Sequence, residues 1–174
     1  MAKVSFTKLG LAKNQDVRII NWNEQSIEVK QYLPVADKLT LISNVLNNAH
    51  DENNFSNPVK IKVFAALEIM YAYTNINFTD KQKGDAPKLY DLIVGNGLFA
   101  EVVDNIPADE YRNVMEGIFE SVDAIYTYRN SVMGILDILK EDYSALDLDA
   151  TEIQQKLGDP ENMQLLRDIL TKLG

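Results

Sequence analysis

The chain has 174 residues, 46% of them hydrophobic and 25% charged, with no cysteine and a formal net charge of −9. That length fits one domain able to bury roughly 70% of its unfolded surface, and the composition is that of a folded protein rather than a disordered one. The lack of cysteine excludes disulfides, thiolate metal sites and thiol nucleophiles. No run approaches the ~18 apolar residues of a membrane span, and the opening MAKVSFTKLGLAKNQ lacks the apolar stretch of a signal peptide.

The charge is uneven. Residues 1–33 carry five basic and three acidic groups, residues 34–84 carry five of each, and residues 85–174 carry seven basic and eighteen acidic groups. The second half therefore holds −11 and the first 33 residues +2. An acidic surface repels phosphate backbones, which argues against direct nucleic-acid binding. It serves either as a solubilising face or as a mimic of nucleic-acid charge that occupies a partner's basic groove.

The first elements are strands. DVRIINWNEQSIEVKQYL alternates apolar and polar residues on either side of NEQ. Val17 and Ile19, then Ile27 and Val29, mark two short strands joined by a hairpin loop at Asn23 to Gln25, and KVSF suggests a third. Such a sheet is marginal alone and must lie against helices.

Helices follow. Pro34 suits a first helical turn, and Val35, Leu39, Ile42, Leu46 and Ala49 form one apolar stripe. After the polar HDENNFSN, Asn57-Pro58 reads as a cap and first-turn proline. The helix they open, VKIKVFAALEIMYAYTN, is apolar around most of its circumference and marks the central core helix. A further helix through APKLYDLIV ends at Gly95-Asn96-Gly97. The stretch GNGLFA matches the letters of a dinucleotide loop, G-x-G-x-x-A, but such a loop needs a strand before it. Here the preceding segment has helical spacing, so Gly95 and Gly97 are expected at a left-handed helix end.

Pro107 opens the longest element, in which Tyr111, Met115, Ile118, Val122, Ile125, Arg129, Val132, Leu136 and Leu139 keep four-three spacing. Unbroken, residues 108–141 would span about 50 Å. Gly117, Ser121 and Ala124 form a small-residue stripe that would let another helix approach, and Gly134 suggests a kink. Asp149 with Glu152, Gly158 and Asp159-Pro160 delimit two short helices in the tail. The fold class is mainly α with a small N-terminal antiparallel hairpin, read as a single domain over 1–174: a β subregion at 1–33 and a helical bundle at 34–174.

No catalytic constellation, cofactor loop or metal set emerges. His50, the only histidine, sits in a polar loop, whereas metal sites in helical bundles use Glu-x-x-His pairs. DENNFSNPVKIK and DLDATEIQQKLG start like calcium loops, but Phe55 and Lys62 in the first and Ile153 and Gly158 in the second occupy ligand places. Glu116, Glu120 and Asp123 share a helix face that reads as solvated. Two charges interrupt apolar patterns, Glu68 in the core helix and Arg129 in the long one. They form either a buried ion pair fixing helix register, or two charges that reach water separately.

The run IEVKQYLPVADKLTLISNVLNNAHDENNFSNPVKIKVFAALEIMYAYTNINFTDKQK and the tail LDLDATEIQQKLGDPENMQLL resemble proteins of tailed bacteriophages and prophages of low-GC Gram-positive hosts. A strand-rich N-terminus followed by helices is also similar to tail assembly chaperones. The resemblance implies a non-enzymatic structural or assembly protein of the head or tail. It would be present in the host cytoplasm during assembly or in the virion, with other phage proteins or its own copies as partners and no cofactor. Arg18 and Lys30 on the basic sheet are the partner contacts expected on charge. The alternative is a phage-encoded inhibitor of a bacterial defence complex, using the acidic helical surface against a host protein.

Overall fold

The computed structural model describes residues 3–49 and 57–137. Val17–Trp22 (β1) and Gln25–Lys30 (β2) form an antiparallel hairpin, followed by helices Val35–Ala49 (α1), Pro58–Tyr73 (α2), Asp80–Lys83 (α3), Ala86–Gly95 (α4), Leu98–Asp104 (α5) and Ala108–Arg129 (α6). The protein is thus α+β, mainly helical, with its small sheet at the N-terminal end. His50, the 51–56 loop and the expected tail helices lie outside the described residues.

The hairpin turns on Asn23 and Glu24, both with positive φ (46° and 64°). This is the type I′ geometry whose twist matches that of the strands. The loop is one residue shorter than the expected Asn23–Gln25, and that difference sets which face is buried. Register places Ile20 opposite Ile27 and Arg18 opposite Val29. Ile20, Ile27 and Val29 are buried, whereas Val17 and Ile19 are exposed. In place of a third strand, Phe6–Leu9 forms a 3-10 turn with no buried residue.

α2 is the hub of the core. Ile61, Ala65, Ala66, Leu67, Ile69, Met70 and Tyr73 are buried around it, so no polar face is left to a long stretch of the helix. α1, α4, α5 and β2 pack against it. Asn57 caps its start, accepting from the N–H groups of Val59 (2.9 Å) and Lys60 (3.2 Å) ahead of Pro58. Each fully buried Leu, Ile or Met adds about 1.5–3 kcal/mol, which makes this helix the main source of hydrophobic stabilisation.

α1 buries Leu41, Val45 and Ala49, while Val35 and Leu39 are exposed. Of the expected stripe Ala49 is buried and Ile42 and Leu46 are half-buried, so burial is shifted toward Leu41 and Val45 rather than moved to a separate face. α3 is closed by a capping box between Thr79 and Gln82, and Asp85 caps α4 through the Lys88 N–H.

Between α4 and α5, only Gly97 has the left-handed conformation (φ +82°); Gly95 is an ordinary helical residue, which corrects half of the expectation for that pair. The GNG stretch joins helix to helix, not strand to helix.

α6 ends at Arg129 instead of continuing through residue 141. Ser131 then interrupts the helical backbone, which resumes over 132–137. Gly134 comes so close to the end of α6 that a Cβ there would collide with the Tyr128 carbonyl oxygen. Gly134 thus marks a sharp turn rather than a kink within one helix. Contacts group the chain into two compact units, 1–125 and 126–174.

Candidate functional site

Three places in the first unit combine unusual exposure or polarity with defined geometry. The first is the N-terminal face. Val4, Phe6, Leu9 and Leu11 are 55–74% exposed, on a segment that carries Lys3, Lys8 and Lys13 and no carboxylate before Asp16. Contiguous exposed apolar side chains are a feature of binding surfaces. Beside this segment, Val17 and Ile19 project from the outer face of β1. The two edges of the hairpin differ. Thr74 bridges to Val29, and the Asn75 Oδ1 accepts the Glu28 N–H at 3.1 Å, so β2's outer edge is covered. No described strand pairs with the outer edge of β1.

The second is a cleft between α1 and α2, centred on Glu68. Two recesses of about 300 and 350 Å³ share Asn44, Glu68 and Tyr71 in their walls; Lys30 and Asp37 line one, and Asn48 and Lys83 the other. The Asn44 amide donates to Glu68 Oε2 at 2.9 Å. Burial pushes the Glu68 carboxyl above its ordinary range, against the Asn44 hydrogen bond and the charge of Lys83. The Lys83 ammonium lies 5.1 Å from the Tyr71 ring centroid, and burial together with the Glu68 charge raises the Tyr71 hydroxyl. An amide or a cation fits the donors and acceptors of this cleft.

The third is a largely buried carboxylate, Glu110, in the first turn of α6. Its Oε1 accepts the Leu33 N–H and the Tyr73 hydroxyl, each at 2.8 Å, and its Oε2 accepts Lys38 Nζ at 2.8 Å. The Glu110 side chain is 9% exposed and that of Lys38 13%. Burial raises this carboxyl, but the hydrogen bonds from Lys38, Leu33 and Tyr73 outweigh it, and the net result lies below the ordinary value. Lys38 also donates to Asn113 (3.1 Å) and lies 4.9 Å from the Tyr32 ring centroid. With every oxygen engaged, Glu110 is a clamp joining the end of the hairpin, α1, α2 and α6.

The residues singled out in the sequence are dispersed. Glu68 accepts a hydrogen bond from Asn44, Arg129 belongs to the second unit, and ion pairs within the first unit include Lys38–Glu110 and Arg112–Asp109. Arg18 and Lys30 fall on opposite faces of the hairpin by alternation. Arg18 reaches the Asn105 Oδ1 at 3.4 Å, and Lys30 lines the Glu68 cleft. They do not form one contact patch. Of the small-residue stripe, Gly117 meets Ile42 of α1, whose Cδ1 would be 2.8 Å from an added Cβ. The half-buried Ser121 turns its hydroxyl onto the Gly117 carbonyl, and Ala124 is exposed. The close approach is therefore internal to the fold and limited to one residue. Glu110 and Tyr73 carry no distinguishing signal in the sequence; a glutamate in a helix's first turn is too common to mark a clamp.

Among the described residues no group of histidine, aspartate and glutamate is placed to hold a metal ion, and no helix is long and apolar enough to cross a membrane. Compared with known proteins, the chain matches no family model, no curated sequence and no solved structure.

Proposed function

We propose that this chain is a non-enzymatic bacteriophage structural or assembly protein that works through protein–protein contacts in the head or tail. The observation that carries the reading is the N-terminal segment, where Val4, Phe6, Leu9 and Leu11 stand exposed between lysines and the 3-10 turn buries nothing. Large apolar side chains concentrated in one exposed segment are the kind a partner surface covers. The interleaved lysines favour a partner surface with negative charge, which steers association and orientation. The phage context comes from the resemblance of residues 27–83 and of the tail.

The test is quantitative mass spectrometry of purified phage particles and of assembly intermediates from the infected host cytoplasm. A second arm is co-purification with head and tail proteins, using the wild-type chain and a Phe6→Ser/Leu9→Ser/Leu11→Ser variant. Stoichiometric recovery with virion proteins, lost in the variant, is the expected result. Absence from particles and intermediates, together with rescue of phage on a defended host, would overturn the reading in favour of a defence inhibitor. For that role the exposed Glu116, Glu120 and Asp123 of α6 are the contact face.

A further inference from the structure

We infer that the open edge of β1 is a self-association site, where a second copy of this chain adds its own β1 antiparallel across a two-fold axis at Ile19. The product is one four-stranded sheet in the order β2–β1–β1–β2. This pairing does not depend on the phage reading above, and either can fail alone.

The hairpin itself determines which groups face outward. A two-residue loop makes Trp22 and Gln25 the closing hydrogen-bonded pair, and hydrogen-bonded pairs then recur at every second position. Ile20–Ile27 and Arg18–Val29 are therefore bonded within the hairpin, while Val17, Ile19 and Asn21 point their N–H and C=O groups away from β2. The same rule sends the Glu28 N–H outward on the other edge, where it meets Asn75 as observed.

That outer row is its own complement. With the two-fold axis at Ile19, Ile19 faces Ile19 of the second copy, and Val17 faces Asn21 in both directions. Each of these pairs is of the hydrogen-bonded kind, so every outward N–H and C=O of the three residues finds a partner. Of the devices that normally block such pairing the strand holds one, the inward charge of Arg18, which is drawn to the Asn105 Oδ1 at 3.4 Å; its outward-bonding positions hold none. Natural edges carry lysine, inward charges or proline, whereas positions 17, 19 and 21 are neutral and two of them are β-branched.

Charge permits the match as well. Arg18 would face the neutral Ile20 of the second copy, so no like charges lie directly opposite. Glu28 and Lys30 stand one strand away, beside Ile19 and Val17 respectively, and form a polar rim around four apolar side chains. The contact is short, well under the area of a permanent dimer, so association should be concentration-dependent.

The absence of cysteine makes a direct test clean. Residues in a hydrogen-bonded antiparallel pair have Cα atoms about 5.5 Å apart, inside the range a disulfide spans. Full-length Ile19→Cys should cross-link to a covalent dimer under mild oxidation, at a yield at least tenfold above Glu28→Cys. Sedimentation velocity of the wild type should show the mass rising from one chain toward two with concentration. Ile19→Lys should raise the dissociation constant at least tenfold, whereas Leu39→Lys, at an exposed site on α1, should leave it unchanged. A wild-type chain that stays monomeric at millimolar concentration would overturn the proposal. So would an Ile19→Lys variant that associates as well as wild type, or equal cross-linking at positions 19 and 28. Circular dichroism of each variant separates lost association from lost folding, and the cysteine variants carry the test should Ile19→Lys unfold.

Discussion

Replacing Glu110 with alanine removes a carboxylate that three elements share, and its cost follows from what is left behind. The Leu33 N–H and the Tyr73 hydroxyl each lose a 2.8 Å acceptor, and the Lys38 ammonium loses its carboxylate. Breaking a buried ion pair from one side costs about 3–5 kcal/mol. Lys38 keeps Asn113 and the Tyr32 ring, however, and is not completely shielded from water, which brings the expectation down to about 2–4 kcal/mol. For a chain of this length, each kcal/mol shifts Tm by roughly 2–4 °C. Glu110→Ala should therefore melt roughly 5–15 °C below wild type. Glu110→Gln keeps the shape and one acceptor, so its loss should be smaller. Lys38→Met combined with Glu110→Gln should cost less than the sum of the two single changes, because the residues interact directly.

The sign of the pH effect is also fixed. The folded carboxyl titrates below its unfolded value, so its contribution is fully present above the ordinary glutamate range and is lost as pH falls through the folded value. Urea denaturation at neutral pH and below pH 4 measures both effects. A loss under about 0.5 kcal/mol for Glu110→Ala, the range of ordinary surface changes, would refute the clamp.

Further substitutions test other parts of the structure. Gly97→Ala should lower stability by about 1–2 kcal/mol, the cost of a left-handed non-glycine residue. Gly95→Ala should be neutral or stabilising by up to about 1 kcal/mol, since the site is helical and an added Cβ meets nothing; equal losses at both sites in thermal melts would contradict the turn geometry. Gly134→Ala should disrupt the turn after α6, because the obstacle is the Tyr128 backbone; hydrogen exchange at 130–137 should rise, and an unchanged pattern would rule out the close approach. Glu68 titrates above its ordinary range, so it opposes folding above that folded value and ceases to do so as pH falls through it. Glu68→Gln should raise Tm at pH 7 more than at pH 4; a gain no larger at pH 7 would be inconsistent with a desolvated carboxylate.

Local signals of known chemistry were legible in the sequence, and choices between equivalent faces were not. Asn57-Pro58 announced α2, and the apolar circumference of that helix announced its central place. The hairpin was legible too, but its inward face was not. Ile19 and Ile20 are adjacent, and a loop shorter by one residue exchanges the two faces of a strand. α1 presents two neighbouring apolar rows that meet at Ala49, Val35–Leu39–Ile42–Leu46 and Leu41–Val45. Packing against α2 selected the second, which no periodicity within α1 decides. The apolar spacing beyond Arg129 continued the pattern of α6, yet the backbone turns at Ser131. A repeat of side chains does not report a break stabilised by local capping and by a glycine's close approach.

The contrast between Glu68 and Glu110 shows why the polar sites were harder still. Both are glutamates facing α1, and both are substantially withdrawn from water. Glu110 has a lysine, a backbone N–H and a tyrosine hydroxyl placed on its two oxygens, enough to hold it ionised despite burial. Glu68 has one amide at hydrogen-bond distance and a lysine only at longer range, and burial prevails. The partners of Glu110 come from residues 33, 38 and 73, brought together only when the hairpin end, α1 and α2 have docked. Its charge is stabilised by tertiary structure that no local window of sequence contains. Glu68 keeps a single hydrogen-bond donor, Asn44, in an open cleft, too little to offset its burial.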